Sequence, residues 1–115
     1  MRLLSKKISN AQIERIVAAK IDWLSKIQEI YQIVLFGSAA TKTMTETSDI
    51  DLILIFENEA KMKAGKEKIY KSRPVDDWPQ DLLFYTKKEF EERVKKGGGV
   101  CYIASKEGTI IFRRD

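Results

Sequence analysis

Apolar positions recur along this chain with two different periods, and the switches between them mark out its elements. After Ser9 or Asn10, either of which can cap a helix, Ile13, Ile16, Val17, Ile21, Leu24 and Ile27 fall at helical spacing. They form one stripe, with the charged residues Glu14, Arg15, Lys20 and Lys26 off it, and predict a helix over about residues 10–28. Trp23 neighbours the stripe and reads as a packing residue rather than a platform for a base. Residues 31–36 are β-branched and aromatic, a strand expected to be buried on both faces, and they stop at Gly37. A short helix is expected over about 38–42, then a polar loop over 41–48 with four threonines and one glutamate.

The second half continues in the same manner. Residues 49–56 form a second strand, and a lysine-rich segment from Asn58 or Glu59 to about residue 72 predicts a helix with a weak stripe, interrupted by Gly65. Arg73-Pro74 ends it, and residues 75–80 read as a loop. DLLFYT, residues 81–86, is a third strand. Thr86 and Glu89 have the spacing of a capping box for the next helix, which runs to about Lys96 with Phe90 and Val94 inward. Gly97-Gly98-Gly99 terminates that helix. Residues 100–105 are compatible with either a short helix or a strand, 106–108 with a turn, and 109–113 with an edge strand.

The informative chemistry lies in residues 33–56, IVLFGSAATKTMTETSDIDLILIF. Asp49 and Asp51 are two residues apart at the head of an apolar strand, so they share a face while Ile50, Leu52 and Leu54 take the other. Aligned acids beside a greasy run are costly to bury unless a cation joins them, and a divalent ion with oxygen ligands is the natural one. Gly37-Ser38 ends the preceding strand and offers backbone and a hydroxyl to a phosphate. For these two features to share a site, the first and second strands must be antiparallel. The third strand also carries an acid, Asp81, at its head. A strand, a helix and a strand with both acidic heads at one end imply a parallel, right-handed crossover.

Gly37-Ser38 followed by Ser48-Asp49-Ile50-Asp51-Leu52 resembles the signature of the polymerase-β-like nucleotidyltransferases. More narrowly it resembles the minimal nucleotidyltransferases, small prokaryotic proteins often paired with a helical HEPN partner. The resemblance covers most of the chain. It implies a nucleotidyltransferase fold: an α/β (α+β) domain with a mixed, partly antiparallel sheet flanked by helices. It implies Mg²⁺, with two ions held by Asp49, Asp51 and a third acid, and ATP or another nucleoside triphosphate as substrate. Asp81 takes the third role, helping to hold the catalytic ion and accepting the proton of the attacking hydroxyl. Asp76 and Asp77 are rivals for that role, but no apolar run follows them directly. Ser38 is the expected triphosphate contact, with Gly37 beside it. Relatives carry a basic residue followed by glycine where this chain has Thr41-Lys42. The turn therefore lacks its usual glycine, while Lys42 remains a candidate positive charge. Ser48 shapes the turn before the acids.

Composition narrows the alternatives. The 115 residues suit one domain, with 43% hydrophobic and 33% charged residues. Lysine and arginine exceed the acids by 21 − 17 = 4, which suits a phosphate-bearing ligand but does not by itself argue for a nucleic-acid surface. Histidine is absent, which excludes Ser-His-Asp triads, HExxH zinc sites and histidine-based ribonuclease chemistry. A carboxylate is then the expected proton acceptor, with lysine or tyrosine as the alternatives. The one cysteine, Cys101, excludes an internal disulfide and reads as a buried thiol. MRLLSKKISN has no apolar core long enough for a signal peptide, and no run approaches a membrane span, so the expected compartment is the cytoplasm. A Walker loop beginning at Gly37 fails on its missing second glycine and its spacing.

The expected reaction is transfer of a nucleoside monophosphate, AMP in the first instance, to an acceptor hydroxyl. With about thirty residues after the catalytic core, the acceptor is expected from a partner or a second copy of the chain. The resemblance implies a HEPN toxin, with this chain as its antitoxin and a partner tyrosine as acceptor. The rival is a binding module that neutralises a partner by contact and keeps nucleotide binding without turnover. A nucleic-acid binder is a third, weaker reading.

Overall fold

The structure, a computed structural model, describes residues 6–75 and 77–115. Helix α1 spans Asn10–Leu24, and the Ser9 hydroxyl caps it by accepting from the Gln12 amide. It ends earlier than the stripe suggests. Ile27 is still buried, but it sits in the turns that lead into strand β1, Ile30–Phe36. Helix α2, Gly37–Thr41, follows at once, then strand β2, Ile50–Phe56. Asn58 caps helix α3, Glu59–Ser72, which leads to strand β3, Gln80–Thr86. The capping box at Thr86 and Glu89 is formed and opens helix α4, Lys87–Lys96. The ambiguous segment is helix α5, Gly99–Glu107, and strand β4, Thr109–Arg113, closes the chain.

The four strands form one mixed sheet in the order β3-β2-β1-β4. β1 is antiparallel to both β2 and β4, while β2 and β3 are parallel. This is the α+β arrangement with flanking helices that the strand heads required.

Alternation along β2 divides the core. Ile50, Leu52, Leu54 and Phe56 pack with Ile33, Leu35, Trp23, Leu24 and Ile69, under α1 and α3. Ile53 and Ile55 pack with Val34 and Ala104, with Tyr85 and Phe90 alongside, under α4 and α5. Fully burying an aliphatic side chain contributes about 1.5–3 kcal/mol, so β2 is the best-anchored strand and fixes whatever its head carries. Gly65 lets α3 sit close to β2: a Cβ there would overlap the Phe56 ring, meeting Cζ at 3.2 Å.

One expectation is overturned. Lys20 was placed off the apolar stripe, yet it is among the most buried side chains, 1% exposed. Position 20 lies seven after Ile13 and four before Leu24, on the stripe itself. Its ammonium is paired with Asp77 at 2.5 Å and donates to the carbonyl of Trp78 at 2.6 Å and to the Gln80 side chain. Burial lowers the Lys20 pKa, and the bond to Asp77 works against that fall. Cys101 is buried, as expected. No helix among the described residues is long and apolar enough to cross a membrane.

Candidate active site

The register of β2 and β3 sets the site. Asp51 and Asp81 are direct partners across the parallel pair, on strands that lie about 4.8 Å apart. Asp49 precedes β2 by one residue and is exposed, as is Asp81, while Asp51 is half-buried. Burial, first, and then the charges of Asp81 and Asp49 push the Asp51 carboxyl above its usual range. The charges of Asp81 and Asp49 therefore both reach Asp51. Among the described residues none of the three carboxylates has an ion pair or a hydrogen bond. Asp77, a rival for the third role, is instead occupied by Lys20. Asp76 lies outside the described residues.

From the other strand, Phe36 at the end of β1 pairs with Asp51, and the next residue is Gly37. Its φ is +71°, and a Cβ built on it would overlap Asp51 Oδ2 and stand 3.2 Å from Cγ. Only glycine fits an elbow so close to a carboxylate. Ser38 follows, half-buried, and among the described residues its hydroxyl has no hydrogen-bond partner. Gly37 thus stands against the acids, with Ser38 next to it in the chain.

Lys42 is placed differently. It caps the far end of α2 in the left-handed region, at φ 62° and ψ 33°. It is the one non-glycine residue with positive φ among those described. The turn that usually carries a glycine is thus formed, with a lysine in the strained conformation. Lys42 also lines a cleft of about 290 Å³ beside α1, with Glu14, Val17 and Thr109, and the acids are not part of that lining.

The loop before β3 holds residues that sequence reasoning missed. The Trp78 indole N–H donates to the carbonyl of Ser48 at 2.8 Å, and the Ile50 amide donates to the carbonyl of Pro79 at 2.9 Å. These bonds tie the two acidic strand heads together. No local pattern in the sequence signals these bonds.

Among the described residues, no three acidic or thiol side chains are arranged as a ready-made metal cage. The donor set still suits a hard cation: three carboxylates, all oxygen, with no ion pair among the described residues. The fit is one of chemistry and charge, at a rim where two of the three side chains are exposed.

The protein-family model of the nucleotidyltransferase domain matches residues 14–110. The chain belongs to the nucleotidyltransferase domain family. Its matched span runs from within α1 into β4 and includes all three acids and the Gly37-Ser38 elbow. A crystal structure of a candidate nucleotidyltransferase from Sulfolobus solfataricus has the same fold, with a TM-score of 0.55 at 14% identity. That match covers 91% of this chain and 84% of the other. No curated protein matches the sequence. The family supports nucleotidyl transfer as the general activity.

Proposed function

We propose that this nucleotidyltransferase domain moves AMP from ATP to a hydroxyl of a partner protein, with Mg²⁺ held by Asp49, Asp51 and Asp81. The observation that carries the reading is the pairing of Asp51 with Asp81, with Gly37 pressed against Asp51. It gathers carboxylates that have no ion pair among the described residues, and the Gly37 elbow, at one corner of the sheet.

In this reading the Gly37 backbone and the Ser38 hydroxyl seat the triphosphate. Asp51, the most buried acid, anchors the cluster, and Asp49 flanks it from the open side. Asp81 stands exposed and accepts the proton of the attacking hydroxyl. The acceptor oxygen bonds to the α-phosphorus as the bond to the β-phosphate oxygen breaks, and pyrophosphate leaves. Held by Asp49, Asp51 and Asp81, a divalent ion would supply charge neutralisation for the phosphates and would make the attacking hydroxyl easier to deprotonate.

The exposed Asp49 and Asp81 leave the acids open to an acceptor carried on a macromolecule. The sequence signature favours a HEPN-type partner, with this chain as the antitoxin and a tyrosine as acceptor. The test is incubation with α-labelled ATP and Mg²⁺, with and without the protein encoded beside this one. Mass gained as AMP on the partner, lost with Asp49→Asn, supports the proposal. A partner bound and silenced with no label on any component favours the non-catalytic binding module.

A further inference from the structure

Lys20 is a buried ammonium inside an apolar helix stripe, and such a group persists only when its donors are met. Its three N–H groups have three acceptors: Asp77 Oδ1, the Trp78 carbonyl and Gln80 Oε1. All three lie in residues 77–80, the segment that delivers Asp81. The second oxygen of Asp77, Oδ2, is buried with no partner among the described residues, so Lys20 is what holds this aspartate inward.

The same segment is bound to the head of β2. The Trp78 indole reaches the Ser48 carbonyl, and the Ile50 amide reaches the Pro79 carbonyl. Gln80 then pairs with Ile50 and Asp81 with Asp51. β3 is an edge strand with β2 as its one strand neighbour among the described residues, so no second strand pairs with its head. The lysine supplies that second anchor from α1, across the layer.

We propose that Lys20 is a positioning residue: it holds residues 77–80 against the head of β2, so that Asp81 stays abreast of Asp51 and the three acids act together on a divalent ion. The purpose rests on the transferase reading, while the geometry does not. A well-packed apolar residue often serves stability as well as a buried ion pair does. The worth of the lysine here is therefore placement, and the experiment separates the two.

The experiment compares Lys20→Met and Asp77→Asn with the parent chain by amide exchange and by Mn²⁺ affinity, the metal alone serving as probe. Asp77→Asn keeps the lysine, and it decides the question if Lys20→Met does not fold. The expected result is selective. Protection of the Ile50 amide and the Trp78 indole falls at least tenfold, as an approximate threshold for loss of a held bond. Amides deeper in the sheet, such as those of Leu54 and Ile33, keep theirs. Mn²⁺ affinity weakens about 10-fold, the usual effect of removing a group that orients a ligand. In an Asp81→Ala background the same substitutions leave Mn²⁺ affinity nearly unchanged. Unaltered protection at Ile50 and Trp78, or an equal loss of affinity with and without Asp81, overturns the proposal. A parent chain that binds no Mn²⁺ would count against the transferase reading, and the exchange data would still decide the role of the lysine.

Discussion

Gly37 lies against the Asp51 carboxylate so closely that a Cβ on it would occupy the space of Oδ2. The elbow and the acid are therefore one unit, built from two antiparallel strands. Gly37→Ala has to displace the carboxylate and also hold alanine at φ +71°. The left-handed conformation alone costs about 1–2 kcal/mol. We expect a loss of at least that much in urea unfolding, together with a fall in nucleotidyl transfer of about 100-fold, of the order that misplacement by an ångström brings.

Burial first, and then the charges of Asp81 and Asp49, disfavour the ionised form of Asp51. Its pKa stands above the ordinary 3.8, so between 3.8 and the raised value the folded state holds more protons than the unfolded one. Stability contributed at this site is therefore lost as pH rises through that window. Asp51→Asn should raise the metal-free Tm at pH 7 by a few degrees, about what 1 kcal/mol brings in a domain of this size. The gain should shrink as pH is lowered towards 3.8. Mn²⁺ should raise the Tm of the parent chain and not of the variant. Transfer activity should vanish. A variant with lower Tm at pH 7 would show that the ionised Asp51 carboxylate does not cost the fold stability.

Lys42 holds a conformation that suits glycine. Lys42→Gly relieves the left-handed strain and gives back part of the gain as unfolded-chain entropy. The net expectation is a stabilisation of about 0.5 kcal/mol, read as an upward shift of the urea midpoint with no change in slope.

Gly65 is a second glycine whose role is contact. Alanine there gains up to about 1 kcal/mol of helix propensity but pushes into the Phe56 ring. Overpacking typically costs about 1–3 kcal/mol, so Gly65→Ala is expected to destabilise on balance. A higher Tm for this variant would mean that α3 can lift from β2 freely.

Much of the fold was legible because the strands are bounded sharply. Gly37 stops β1, and the acids mark the heads of β2 and β3. Their convergence demands one antiparallel and one parallel pairing. What stayed hidden was set by contacts far apart in sequence. Residues 100–105 carry apolar side chains on every side, so no period could separate helix from strand. In the fold Cys101 and Ala104 turn inward, while Tyr102 and Ile103 stay exposed. Gly65 reads from the sequence as an interruption of the α3 stripe, because its contact with Phe56 is set by the tertiary fold. Lys20 looked like surface because its partners lie 57 to 60 positions away. At the site, the Asp51–Asp81 pairing followed from strand heads, whereas the bonds of Trp78 and Pro79 that brace it had no local pattern.

The central claim is that Asp49, Asp51 and Asp81 work together in nucleotidyl transfer. The most direct measurement is pyrophosphate release from ATP and Mg²⁺ in the presence of the neighbouring gene's protein, with mass spectrometry of both chains. The account predicts stoichiometric pyrophosphate with AMP added to a hydroxyl of the partner, and loss of both with Asp81→Asn in a variant of unchanged Tm. Pyrophosphate and AMP transfer undiminished in Asp81→Asn, or no transfer from the parent chain, would contradict it.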